Sequence, residues 1–89
     1  MKTAFVKSFQ RDLKALRKDH EMRRRIQKKI EEVETASGLD ELSSLKKLTG
    51  GENYYRIRVG DYRIGIVVEK DAVVFVRCLH RREIYRYFP

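Results

Sequence analysis

Cysteine is almost missing from this chain: Cys78 stands alone among 89 residues, so no internal disulfide can form, and the composition fits a reducing cytoplasm. Metal ligands are equally sparse. His20 and His80 are isolated, and Cys78-x-His80 by itself cannot make a metal site. No apolar run approaches the roughly 18 residues that a membrane-crossing helix needs. No segment shows the strong apolar face flanked by aromatics of an interfacial anchor. The stretch Met1-Lys2-Thr3-Ala4-Phe5-Val6-Lys7 lacks the apolar h-region of a secretory signal. No cofactor, no metal and no membrane are therefore expected. Acidic residues are outnumbered, 13 Asp and Glu against 21 Lys and Arg, for a net charge of +8. That balance favours a polyanionic partner, either nucleic acid or an acidic protein.

What is present is one domain, residues 1–89, with a core of modest size. Its organising stretch is Tyr54-Tyr55-Arg56-Ile57-Arg58-Val59-Gly60-Asp61-Tyr62-Arg63-Ile64-Gly65-Ile66-Val67-Val68. Two runs of period-2 alternation, rich in β-branched and aromatic residues, flank Gly60-Asp61, which predicts a β-hairpin. Gly at the first loop position suits a two-residue type II′ turn, where that residue must take φ > 0. In this register Val59 faces Tyr62, Arg58 faces Arg63, Ile57 faces Ile64 and Arg56 faces Gly65. One face then carries Tyr55, Ile57, Val59, Tyr62, Ile64, Ile66 and Val68 as core, and the other carries Arg56, Arg58, Arg63 and Gly65. Two arginines directly opposite each other cost the fold about 0.2–1 kcal/mol. A bound anion would offset that cost; the simpler reading is a solvated strand face.

Around the hairpin, Thr3-Ala4-Phe5-Val6 suits a short strand, and Ser8 is a candidate N-cap for a helix with Phe9, Leu13 and Leu16 on one stripe. Asp19 can cap a second helix that buries Met22, Ile26, Ile30 and Val33, with Gly38 at its C-terminal side. The two helices read as an αα-hairpin covering one sheet face. Arg23, Arg24, Arg25, Lys28 and Lys29 form the outer face of the second helix, a solvated charge run that can also steer a polyanion. Leu39, Leu42, Leu45 and Leu48 recur every three residues and predict a short helical turn under the sheet, and Thr49-Gly50-Gly51-Glu52-Asn53 is a flexible loop. After a turn at Lys70-Asp71, the run from Ala72 to His80 has apolar residues on both parities, the mark of a central strand covered on both faces. If that strand pairs tightly with its predecessor, Val74, Val76, Cys78 and His80 share the face of Arg58 and Arg63. Arg77 then lands on the core parity, so either the strand ends near it or a bulge intervenes. The tail from His80 to Pro89 allows a turn or two of helix. Cys78 is most simply a small buried hydrophobe.

This order of elements, with Leu48-Thr49-Gly50, the stretch from Tyr55 to Ile64, and His80-Arg81-Arg82-Glu83-Ile84-Tyr85, resembles the RelE/ParE superfamily of toxins from type II toxin–antitoxin pairs. The resemblance implies an α+β fold: an N-terminal strand, an αα-hairpin, an antiparallel sheet of about three further strands, and a short C-terminal helix or turn. It implies a toxin bound by a cognate antitoxin in an oligomeric complex. In the RelE branch the toxin is a ribosome-dependent mRNA endonuclease that arrests translation in the cytoplasm. The ParE branch inhibits DNA gyrase and cuts no RNA, so the fold is implied more firmly than the function. A third reading is a non-catalytic basic domain that accepts an acidic partner.

In RelE-like nucleases, basic residues on two neighbouring strands, a C-terminal basic residue and a tyrosine surround the scissile phosphate. Carried over by position, these are Arg56 and Arg58, Arg63, either Arg81 or Arg82, and Tyr85. Strand parity puts His80 and Arg82 on the active face. The implied chemistry is attack of the substrate's own 2′-OH on the adjacent phosphate, without a metal. It requires positioning, charge neutralisation and proton transfer. Some relatives carry lysines on the first strand, whereas this chain has arginines, whose guanidinium does not deprotonate in proteins. His80, of the one side-chain type with a reference pKa near neutrality, is then the candidate acid or base, with Tyr85 orienting or stacking on the RNA. The structural alternatives are a strand-end histidine bonded to backbone and a tyrosine that packs the C-terminal turn.

Overall fold

A computed structural model describes residues 1–70 and 72–89. The elements follow as β1 (Lys2–Phe5), α1 (Lys7–Ala15), α2 (His20–Thr35), a single 3-10 turn (Leu39–Glu41), β2 (Leu45–Lys47), β3 (Tyr54–Val59), β4 (Tyr62–Glu69), β5 (Ala72–His80) and α3 (Ile84–Tyr87). The five strands form one sheet in the order β1-β5-β4-β3-β2, antiparallel throughout except that β1 runs parallel to β5. This is the expected α+β architecture with one more strand. β5 is covered on both faces as predicted, but the middle place belongs to β4. The predicted turn at Lys70-Asp71 includes Asp71, which lies outside the described residues.

One face of the sheet packs on α1 and α2. Phe9 and Leu16 from the first helical segment, and Met22, Ile26, Ile30 and Val33 from the second, join Ile57, Val59, Ile64, Ile66, Val73, Phe75 and Cys78 in a single core. The i, i+4 spacing of the α2 residues aims them at the sheet, and Asp19 starts that helix by accepting the Met22 amide at 3.1 Å. Each fully buried side chain of this size contributes about 1.5–3 kcal/mol. On the opposite face a smaller cluster of Leu48, Ile84 and Phe88 is covered only where α3 lies across the sheet.

Four local expectations are corrected. Leu45 pairs with Ile57 as part of β2, so the leucine repeat is one 3-10 turn followed by an edge strand, and Leu48 joins the opposite core. Ser44, with φ of +64°, reverses the chain into that strand, and its carbonyl accepts the Arg58 amide at 3.0 Å. Val6 stands at the N-cap of α1, while the Ser8 hydroxyl donates to the Val76 carbonyl at 2.6 Å. Helix α2 ends at Thr35 with extended Ala36 as its cap, and Gly38, also extended, opens the 3-10 turn.

The fourth correction carries most weight for the site. Ile66 pairs with Phe75 but Gly65 pairs with Arg77, so Val76 is the extra residue of a β-bulge. The bulge inverts side-chain parity beyond it. Cys78 therefore enters the helix-side core, Arg77 and Leu79 turn to the other face, and His80 pairs with Tyr62 on the helix side.

Candidate functional site

The β3–β4 hairpin has the register read from its sequence: Arg56 opposite Gly65, Ile57 opposite Ile64, Arg58 opposite Arg63 and Val59 opposite Tyr62. Gly60 turns the chain at φ +58°. The exposed face thus holds three arginines from two strands, as alternation requires. Arg63 is half-buried and anchored, its Nη1 donating to the Gly60 carbonyl at 2.8 Å and the Tyr62 carbonyl at 3.0 Å. Burial lowers its pKa, and the neighbouring charges of Arg56, Arg58 and Arg81 push in the same direction, while Tyr85 opposes them. Those neighbours outline the site: Arg56, Arg58 and Arg63 share one strand face, and the charges of Arg81 and Tyr85 also reach Arg63. The one carboxylate paired with these arginines among the described residues is Asp61, 3.9 Å from Arg81 at the exposed turn. Such a cluster is arranged to receive negative charge.

Tyr85 comes from α3, a single turn of helix held over the sheet by Ile84 and Phe88 on either side of it in sequence. Gly65 makes this seat possible. A Cβ there would come within 2.6–2.9 Å of the Phe88 ring, so the one small residue on the arginine face is where α3 docks. Tyr85 remains 57% exposed, and its hydroxyl accepts from Arg56 Nε at 3.3 Å. Arg56 Nη1 donates to the Ser44 carbonyl at 3.1 Å, which fixes this guanidinium from its other end. The Arg81 amide donates to the Asp61 carbonyl at 2.7 Å, tying the C-terminal segment to the hairpin turn.

His80 is not brought into this cluster. The bulge turns His80 to the helix side, where its ring meets Tyr62 edge-on with centroids 5.6 Å apart. Its Nδ1 accepts the Arg82 amide at 3.2 Å, so the imidazole orders the turn that follows the strand. The expectation from parity that His80 shares the arginine face is corrected on that ground, while Arg82 lies past the end of β5 with an exposed side chain. Of the two C-terminal arginines left open by spacing, Arg81 is the one that acts on Arg63.

Two contributors were not visible in sequence. Lys46 pairs with Arg56 across β2–β3 and adds a further strand cation to the same face. With Lys47, Leu48, Tyr85, Phe88 and Pro89 it lines an open cleft of about 360 Å³ beside the Arg56–Tyr85 contact. Alternation in Leu45-Lys46-Lys47 is too short a signal to announce an edge strand. The other is Asp12, a carboxylate buried on an otherwise apolar stripe of α1, whose role depends on the bulge.

The arrangement can bind a phosphate on several sides, stack a planar ring on Tyr85, and stabilise charge that accumulates on phosphorus-bound oxygens. The chain matches, over residues 4–85, the family model described as ParE toxin of type II toxin–antitoxin system, parDE. It is 49% identical over 90 residues, spanning all of both chains, to Toxin RelE3 of Methanocaldococcus jannaschii. A chain in the crystal structure of the RelB–RelE antitoxin–toxin complex from Methanococcus jannaschii matches it with a TM-score of 0.80 and 46% identity, covering 97% of this chain and 99% of that one. The YoeB dimer from Staphylococcus aureus matches at a TM-score of 0.73 over 90% of this chain and 95% of that one, and at 18% identity the likeness is one of fold.

Proposed function

From the premise that this chain belongs to the ParE toxin family of type II toxin–antitoxin systems, we propose that it is a metal-independent endoribonuclease that cuts mRNA on the ribosome and so inhibits translation in the cytoplasm. The observation that carries the reading is the hydrogen bond from Arg56 to the Tyr85 hydroxyl on the strand face that also holds Arg58 and Arg63. A gyrase inhibitor needs the fold and a basic surface, but has no use for a phenol held in that setting.

In this reading Arg56, Arg58, Arg63 and Arg81 surround the scissile phosphate. The substrate's 2′-oxygen attacks phosphorus, the bond to the 5′-oxygen breaks, and a 2′,3′-cyclic phosphate and a 5′-hydroxyl are left. The 2′-OH proton leaves to solvent, and the departing 5′-oxygen takes a proton from solvent or from the Tyr85 hydroxyl, which solvent then reprotonates. The arginines stabilise the phosphorane, whose charge exceeds that of the ground-state phosphate. His80 is assigned to the turn, and Arg82 to the exposed rim where it can meet RNA. The resemblance to a toxin solved with its antitoxin supports an acidic antitoxin segment as the partner that covers these cations.

Brief expression without the antitoxin tests the reading. Amino-acid incorporation should fall before thymidine incorporation, and primer extension should map new mRNA 5′ ends within coding regions. An SOS response with DNA synthesis failing first, and no new ends, would return the protein to the gyrase branch.

A further inference from the structure

Between the middle of α2 and the end of β3 lies an open cleft of about 430 Å³, lined by Arg25, Lys28, Lys29 and Glu32 from the helix and by Arg58, Val59 and Gly60, with Ser44 bonded beside Arg58, from the sheet edge. It is separate from the cleft beside Tyr85. Lys29 is occupied by Glu32 at 2.8 Å and also donates to the Ser43 hydroxyl at 3.5 Å. Among the described residues no carboxylate is paired with Arg25, Lys28 or Arg58, and all three are exposed. Three cations without a counter-charge converge on one concavity, where the low-dielectric wall strengthens their field.

The cleft is continuous with the arginine cluster through the hairpin turn. The Arg25 guanidinium lies over Gly60, within 2.7–3.1 Å of where a Cβ would stand. The carbonyl of that glycine accepts from Arg63 Nη1 at 2.8 Å. Arg58 both lines the cleft and acts on Arg63. A backbone bound at the cluster would thus meet Arg58 and then Arg25 and Lys28 as it passes the turn.

We infer that this cleft is a second phosphate site, which holds a phosphodiester of the single-stranded substrate beyond the one that is cut. The inference rests on the nuclease reading above. It assigns Arg25 and Lys28 to RNA positioning, and it makes the preferred substrate longer than the nucleotides flanking the cut.

The test is binding of fluorescein-labelled, fully 2′-O-methylated oligonucleotides of three and nine residues, which lack the attacking hydroxyl, measured by anisotropy from 50 to 300 mM salt. The proteins are wild type, Arg25→Gln/Lys28→Gln, and Arg23→Gln/Arg24→Gln as a control with the same charge loss on the same helix. The cleft variant should bind the 9-mer about tenfold or more weakly at 50 mM salt, with its log–log salt slope reduced by about 1.4, near 0.7 for each lost phosphate contact. The 3-mer should bind it as it binds wild type, and the control should lose much less. Equal losses in both variants, equal losses for both lengths, or no loss would overturn the site while leaving the nuclease reading intact. If wild type binds neither oligonucleotide and primer extension finds no new ends, both fall together. A loss seen only with a base-paired stem would assign the cleft to structured RNA and overturn the single-strand reading.

Discussion

Arg77 and Asp12 are joined by two hydrogen bonds, Nε to Oδ2 at 2.8 Å and Nη2 to Oδ1 at 3.2 Å, and the same Oδ2 accepts the Cys78 amide at 2.9 Å. β1 pairs with β5 only as far as Phe75, so beyond the bulge that edge of β5 has no strand beside it. The Asp12 carboxylate from α1 takes the strand's place as acceptor. Hydrogen bonding to Asp12 raises the Arg77 pKa, and the guanidinium sits 5.3 Å from the centre of the Tyr87 ring on α3. One buried carboxylate thereby links α1, the bulge and the helix that carries Tyr85. Asp12→Ala should lower unfolding free energy by about 2–4 kcal/mol, because it leaves a cation and an amide without their acceptor. Asp12→Asn should cost less. Urea unfolding that moves by under about 0.5 kcal/mol for the alanine variant would contradict this role.

Tyr85→Phe keeps the ring and removes only the oxygen that Arg56 approaches at 3.3 Å. Single-turnover cleavage on programmed ribosomes should slow by about 10²-fold or more if the phenol moves a proton, with RNA binding retained. His80→Gln should cleave at nearly the wild-type rate, since the imidazole faces Tyr62 and the Arg82 amide. The opposite pattern would restore His80 as the acid or base.

Arg63→Ala removes the anchored guanidinium facing Arg58, together with its bonds to two turn carbonyls. Cleavage should fall by about 10²-fold or more, the scale of losing one transition-state donor. Stability should change little, because relief of the arginine pair offsets the lost bonds; circular dichroism melting alongside the cleavage assay separates the two effects. A folded variant with undiminished cleavage would rule out this phosphate site.

Gly65→Ala places a methyl against the Phe88 ring. The overpacking should cost about 1–3 kcal/mol and displace α3, so Tyr85 loses its position and cleavage falls with stability. Adding Phe88→Ala should recover part of the lost fit. Double-mutant stabilities that simply add would show that the two residues do not meet.

Burial, and then the charge of Asp12, push the Cys78 thiol from 9.0 up to about 12. Burial likewise raises Tyr62. A raised pKa on an acid that ionises more readily when unfolded means that the unfolded chain releases the proton first. The Cys78 contribution is fully present below pH 9.0 and is lost progressively between there and about 12. Unfolding free energy should therefore fall steadily above pH 9, and more gently in Cys78→Ala. Thiol labelling should also require unfolding. Rapid alkylation of the native protein at pH 8 would contradict the burial.

Short-range pattern determined the hairpin in full. Alternation in Tyr55 to Val59 and Tyr62 to Val68, with Gly60 where a positive φ is needed, leaves one register that buries the apolar face, and it delivers Arg56, Arg58 and Arg63 together. The α2 stripe and the Asp19 cap were legible for the same reason, because their partners lie within four residues. Tertiary contacts decided the rest. Whether Arg77 ends the strand or follows a bulge depends on Asp12, which lies 65 residues away in the chain, and that single insertion moves His80 off the arginine face. Lys46 reaches that face only because an edge was available beside β3 for a three-residue strand too short to declare itself. Gly65 reads as a weak strand residue until Phe88 is seen resting on it. Periodicity reports which way a side chain points from its own backbone; which backbone lies opposite, and where a register slips, is settled by packing between distant segments.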